Sequence, residues 1–307
     1  MRIRSVHIEN FRGIEFFEVT DLHDLVVIAG PNGCGKTCVL DGIRLLKSVY
    51  GGYFANEWQT WFGEFQINVA DAEGMLHLFR DRTIPLRISA DLELSDEERS
   101  YIDIHAEDIL RPIIWQSVVG RNVESGLSIS ADEISRYSQS VTTRIQAEAA
   151  QLRNGIQTNI HKAGLTISPT PQIAVEPEPV LQVIFQTYSP RKLGVIDYHS
   201  SSRVYEREML GQVNLNLENV TQQRRAHSLY NSREKYRNVK TELAANYVLG
   251  VIASKATQSE IPDVNSTLSE LFRIFFPGKQ YLGPVPQPNG KAGFPGPIAV
   301  RRSARYR

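Results

Sequence analysis

The chain has 307 residues, 41% apolar and 22% charged, the balance of a soluble globular protein with a core large enough for one big domain or two ordinary ones. Lysine plus arginine (34) equals aspartate plus glutamate (34), so no overall field draws the chain to nucleic acid or to an anionic membrane; such binding needs a local patch. No apolar stretch approaches the roughly 20 residues that span a bilayer, and Met1–Arg4 leads into an alternating pattern rather than a signal-peptide block. A cytoplasmic protein without a membrane partner is expected. Cys34 and Cys38 stand four apart inside one motif, which is no disulfide framework. Neither a Cys-x-x-Cys pair nor a His-Glu-x-x-His helix occurs, and no structural metal is indicated.

From Ile3 to Val19, alternation around Val6 and Ile8, the turn residues Asn10-Phe11-Arg12-Gly13 and a second alternating run predict a hairpin. Leu25-Val26-Val27-Ile28-Ala29 is an unbroken apolar run, expected to be a central strand covered on both faces. From Lys36 the period changes, and Val39, Ile43, Leu46 and Tyr50 predict a helix ended by Gly51-Gly52. Strands are expected at Phe65–Val69, Met75–Phe79 and Ile84–Leu94. Ser95 with Glu98 three residues on forms a capping box, so a helix starts at Asp96. The acidic run Asp91–Asp108 reads as a solvated helix face rather than a metal or partner site. Between Ala131 and Gly164 the apolar spacing predicts a long amphipathic helix. Ser168–Pro179, with four prolines, is a connector. Val180–Tyr188 and Leu193–Tyr198 look like buried strands, Thr221–Ser259 a second long helix, and Leu268–Phe276 a short one. Proline and glycine then make up roughly a third of the remaining residues, and no packed structure is expected from about Lys291 onward.

Gly30-Pro31-Asn32-Gly33-Cys34-Gly35-Lys36-Thr37 has the Gly-x-x-x-x-Gly-Lys-Thr pattern of a phosphate loop. Glycines let the backbone curl so that successive amides converge on phosphates, at a helix N-terminus whose dipole also favours anions. Lys36 would reach the β and γ phosphates, and Thr37 would offer its hydroxyl to Mg²⁺. Asn32 and Gly33 tolerate a left-handed backbone. Cys34 reads as a small side chain at a permissive loop position, in preference to a redox sensor with a helix-activated thiol.

Ile3-x-x-Val6-x-Ile8-Glu9-Asn10-Phe11-Arg12-Gly13-Ile14, then Val27 through Thr37, then Leu40-Asp41-Gly42-Ile43, resembles the start of an ABC-type head ATPase of the RecF, SMC and OLD group. The nearest resemblance is to the AAA-family ATPases of OLD type found in bacterial defence systems, and its strong part runs from Met1 to about Leu46. It implies an α/β P-loop NTPase fold, the first lobe of an ABC-type head, with a mixed sheet around the P-loop helix and long helical insertions. The expected layout is an ATP-binding lobe over 1–215 with a helical insertion at about 101–165, a helical arm over 216–276 and an irregular tail over 277–307. The resemblance also implies ATP and Mg²⁺ as ligands, a homodimer closed around ATP, DNA and an effector protein as partners, and work in DNA repair or phage defence. It suggests that Arg12 lies close to the nucleotide, with a plain exposed turn residue as the alternative. Such heads use a glutamine to hold Mg²⁺ and the attacking water, and Gln66 is one candidate.

A signature Leu-Ser-Gly-Gly stretch, a Walker B Asp-Glu pair and a switch histidine are not found as a set. Leu193-Gly194-Val195-Ile196-Asp197 superficially resembles a Walker B strand, but Tyr198 stands in the glutamate position, and an Asp ending a buried strand is the plainer reading. A truncated or frame-shifted head, stronger in binding than in turnover, is therefore expected. The competing classes are a non-catalytic ATP-binding fragment and the nucleotide-binding subunit of a membrane transporter, which the long insertions disfavour. The best basic patch for DNA is Arg224–Lys240, with Tyr230 and Tyr236 interleaved, although a solvated helix face is the preferred reading of it.

Overall fold

The computed structural model describes residues 1–53, 56–119, 131–170, 172–199, 264–276, 279–281 and 300–302, with the single residues Leu229, Ala245 and Val248. The chain divides into two compact units, Met1–Tyr198 and His199–Arg307.

In the first unit, β1 (Arg2–Phe11) and β2 (Ile14–Val19) form the expected hairpin, with Phe11 opposite Ile14 at its turn. β1 also pairs with β3 (Leu86–Glu93), β3 with β4 (Ile160–Ile167), and β4 with β5 (Ile173–Val175). The result is a five-stranded sheet of order β2-β1-β3-β4-β5, antiparallel throughout. Because side chains alternate across a strand, Val6, Ile8, Leu86, Ile88, Ala90, Leu92, Ala163, Leu165 and Ile167 all fall on one face, and all are buried. The opposite face carries Ser5, His7, Arg87, Ser89, Asp91, Lys162 and Thr166 around a concavity of about 430 Å³. An antiparallel sheet with one dry face and one wet face has this alternation.

Helix α1 (Lys36–Tyr50) lies on the dry face. Gly42 permits the approach: a Cβ there would stand 2.9 Å from Ile8 Cδ1 and 3.7 Å from Ile88 Cδ1. Further cover comes from α2 (Glu57–Glu64), the short α3 (Ala72–Met75) and α6 (Pro179–Gln186). With neighbours on several sides, α1 buries Asp41, Arg44 and Lys47 as well as its apolar stripe. Lys47 pairs with Glu57, both almost wholly buried, and its Nζ lies 3.3 Å from the centroid of the Tyr53 ring. Helices α4 (Asp96–Val119) and α5 (Ala131–Gly155) form an antiparallel pair: Arg153 reaches Asp103 and Arg144 reaches Ser117. The capping box is present, with Ser95 Oγ accepting from Glu98 N at 3.2 Å and Glu98 Oε2 accepting from Ser95 N at 2.9 Å. Glu98 also accepts from the Met1 amine and from Gly194 N, each at 2.5 Å.

Several sequence expectations need correction. Leu25–Ala29 is not a strand: it is irregular, with Leu25 83% and Val27 79% exposed. Both edges of β1 are taken by β2 and β3, so the expected mixed sheet around the P-loop helix is instead an antiparallel sheet beside it. Phe65–Val69 is a turn closed by Ile67 N donating to Phe62 O at 3.0 Å. Met75–Phe79 is the end of α3 and a 3₁₀ turn at Leu76–Leu78, launched by Asp71, which caps Glu73 N. Of the three strands expected there, only Ile84–Leu94 contains one, β3. The long helix ends at Gly155, and Ile160 opens β4. Val180–Tyr188 holds α6, started by Glu178 accepting from Val180 N and by Pro179 at the first helical position, where its missing N–H is no loss. Its buried residues Val180, Leu181, Ile184 and Phe185 follow a helical period, and a short apolar run does not separate the two structures by period alone. Leu193–Tyr198 is irregular chain, although Leu193 is buried.

In the second unit, α7 (Val264–Phe275) contains most of the expected short helix. β6 (Lys279–Tyr281) pairs antiparallel with β7 (Val300–Arg302), so the expectation of no packed structure after Lys291 fails at those three residues. The helix expected at Thr221–Ser259 and the basic patch Arg224–Lys240 fall almost wholly outside the described residues.

Candidate functional site

The loop Gly30–Gly35 turns through three glycines with φ of 158°, 83° and 91° at Gly30, Gly33 and Gly35. The values at Gly33 and Gly35 lie in the left-handed region, where a Cβ would be strained, so the motif's later glycines are conformational requirements. Gly35 is the N-cap of α1 and offers no side-chain cap. Uncapped first-turn amides are orphan donors, and together with the helix dipole they make an anion site. No acidic residue stands in the first turn to oppose an anion there.

Lys36 Nζ folds back on the loop, donating to Gly30 O at 2.8 Å and Pro31 O at 2.7 Å, with Cys34 Sγ at 3.8 Å. Cys34 also packs on the loop's first glycine, where a Cβ on Gly30 would lie 2.8 Å from Sγ. Pro31, Asn32, Cys34 and Thr37 are exposed. These residues fit a bound polyphosphate: the cradle is built from backbone amides, and an ammonium and a hydroxyl stand in the first helical turn. When bound, Mg²⁺–ATP supplies the γ-phosphoryl group and the metal charge that phosphoryl-transfer chemistry uses.

The turn between β1 and β2 stands beside this loop. A Cβ on Gly35 would lie 3.4 Å from Ile14 Cγ1. Each residue of Asn10-Phe11-Arg12 has a separate task. Asn10, 2% exposed, donates from Nδ2 to the carbonyls of Asp81 and Ile84, both at 2.8 Å, and accepts from Asp81 N at 2.7 Å, clamping the loop before β3. Phe11 is fully buried, its ring centroid 6.4 Å from that of Trp61. Arg12, with a left-handed φ of 52° and its N–H bonded to Leu78 O, points its guanidinium at α1: Nη1 donates to Asp41 Oδ2 at 2.8 Å. The guanidinium carbon lies 4.3 Å from the centroid of the Phe65 ring, a cation–π distance.

Asp41 is shared. Its Oδ1 accepts from Arg44 Nη1 at 3.1 Å, and Arg44 Nη2 reaches Glu64 Oε2 at 2.7 Å. Burial pushes the Asp41 carboxyl above its ordinary range, against the pull of Arg44 and Arg12. Gln66 follows Phe65 in a left-handed turn, φ 56°, and is exposed. Asp197 is exposed on irregular chain, while Tyr198 stacks on Arg44 at 4.1 Å.

The fold thus brings the phosphate loop and the Arg12 turn side by side and sets Gln66 next to the ring that carries Arg12. Asp197 does not sit at a strand end. Asp41, Arg44 and Glu64 were assigned no role from sequence. The available signal was the opposite charges of Asp41 and Arg44 at helical i, i+3 spacing; the pairings with Arg12 and Glu64 have no local signature.

A glycine-rich loop that feeds an uncapped helix N-terminus, with lysine and threonine in its first turn, defines a P-loop nucleotide-binding protein. The family model for the AAA ATPase domain matches residues 1–274, and the chain belongs to that family. An uncharacterised protein of Methanocaldococcus jannaschii, MJECL10, is 33% identical over 73 residues, covering 21% of this chain. The chain spans 33% of that relative's length. No described helix is long and apolar enough to cross a membrane.

Proposed function

We propose that this chain is the ATP-binding lobe of an OLD-type, ABC-like head that binds Mg²⁺–ATP at Gly30–Thr37 and serves DNA repair or phage defence. The single observation that carries the ATP site is the loop itself: left-handed glycines at Gly33 and Gly35, an uncapped α1 and Lys36 tethered over the loop carbonyls. The Asn-Phe-Arg turn packed beside that loop supports the ABC-like assignment. In this reading Arg12 stands near the bound nucleotide, Thr37 takes Mg²⁺, and Gln66 is the candidate for the water-positioning glutamine. Two such heads would close around ATP, with DNA and an effector protein as partners.

A second reading, ATP binding without turnover by this chain, is favoured by the position of Asp197. The residue closest to a Walker B pattern is exposed and lies off any strand. Isothermal titration with Mg²⁺–ATP separates the possibilities. The intact chain is expected to bind ATP, and Lys36→Ala is expected to weaken binding at least tenfold, since hydrogen bonds from charged donors are the strong ones. Equal binding by the two proteins would exclude this loop as the site. Steady phosphate release by the purified chain would rule out the second reading.

A further inference from the structure

Arg12, Asp41, Arg44 and Glu64 form one ladder of alternating charge that crosses three elements: the β1–β2 turn, α1, and the end of α2. Its inner members are shielded, with the Asp41 and Arg44 side chains 4% and 3% exposed, whereas the Arg12 side chain at the open end is 32% exposed. Each oxygen of Asp41 receives one guanidinium, so neither arginine can swing without leaving a buried carboxylate short of a donor. Arg12 is fixed from three directions: its backbone N–H on Leu78 O, its Nη1 on Asp41, and its planar face on Phe65. Among the described residues only Nη1 of Arg12 has a hydrogen-bond partner, and the side chain is 32% exposed.

We infer that Asp41 is a positioning residue: it aims Arg12 at the polyphosphate bound by the adjacent loop. Through Arg44 and Glu64 it also ties the Phe65–Gln66 turn to the phosphate-loop helix. The inference rests on reading Gly30–Thr37 as the polyphosphate site. The physical basis is orientation. A free arginine side chain holds many rotamers, and fixing it before the ligand arrives removes an ordering cost from binding. The buried carboxylate does this without touching the ligand. Its negative charge would repel phosphate if exposed, but both oxygens face guanidinium groups.

The test is a double-mutant cycle on Mg²⁺–ATP affinity using Arg12→Ala, Asp41→Asn and the pair, with thermal melts to confirm folding. Arg12→Ala is expected to weaken ATP binding about tenfold. Asp41→Asn is expected to lose about three- to tenfold, Asp41→Glu to recover part of that loss, and the double variant to bind no worse than Arg12→Ala alone. A structural role for Asp41 gives additive losses instead, and additivity overturns the inference. So does an Asp41→Asn protein that folds and binds like the parent. Should Asp41→Asn fail to fold, Asp41→Glu takes its place in the cycle: it is expected to weaken ATP binding in the parent and not at all with Arg12→Ala, and a loss in both backgrounds overturns the inference. Parent-like ATP binding by Arg12→Ala also overturns it, while leaving the ATP site standing. Failure of the intact chain to bind ATP removes both readings.

Discussion

The sheet β1-β3-β4 and the segment Leu25–Ala29 are built from the same kinds of residue and meet opposite fates. Ile88 on β3 lies directly opposite Ile8 on β1, and the two are 1% and 0% exposed. Val27, in a run more uniformly apolar than either strand, is 79% exposed, and Leu25–Ala29 makes no backbone hydrogen bond among the described residues. The difference teaches that apolar composition states a demand for burial, whereas pairing partners decide whether it is met. Alternation in β1 and β3 asks for one covered face, which α1 supplies. An unbroken run asks for two.

The comparison can be tested by mutation, starting with the largest effect. Ile88→Ala is expected to lose about 2–5 kcal/mol in urea melts, the cost of a large-to-small change where α1, β1 and β3 meet. Asn10→Ala should lose about 2 kcal/mol, because the carbonyls of Asp81 and Ile84 lose buried partners and alanine tolerates the left-handed φ of 57° poorly. A loss below about 0.5 kcal/mol would mean that water replaces the clamp.

Glu98 is a part-buried acid that contributes pH dependence. Burial alone would raise its carboxyl, but hydrogen bonds from the Met1 amine, Ser95 N and Gly194 N hold it below the ordinary 4.5. A depressed acid stabilises the fold above its unfolded value, and the contribution fades as pH falls through the folded one. Urea melts between pH 7 and pH 3 should therefore show an acid loss that shrinks in Glu98→Gln. An unchanged acid profile would assign that loss to other carboxylates. The smallest effect is expected at Val27→Asp, within about 0.5 kcal/mol. A loss approaching that of Ile88→Ala would place the run inside a packed sheet in solution and erase the contrast.

Much of the fold near the site is legible in the sequence because its causes are local. The hairpin follows from alternation around four turn residues, α4 starts at a capping box, and α1 starts where the glycines end. The errors fall where local pattern is ambiguous. Val180–Phe185 is apolar in a way that suits strand or helix, and only Glu178 and Pro179, a cap and a first helical residue, distinguish them. The resemblance drew attention to Arg12, but its partner Asp41 lies 29 residues away and Glu64 a further 23, separations at which no periodicity signals contact.

By itself, the sequence determined the phosphate loop: glycine at positions that need left-handed backbone, then lysine and threonine opening a helix, is chemistry written in adjacent residues. Tertiary structure alone decided what surrounds it. The ladder from Arg12 to Glu64 and the exposure of Leu25–Ala29 depend on which distant groups reach each surface, and burial is a property of those neighbours rather than of the segment.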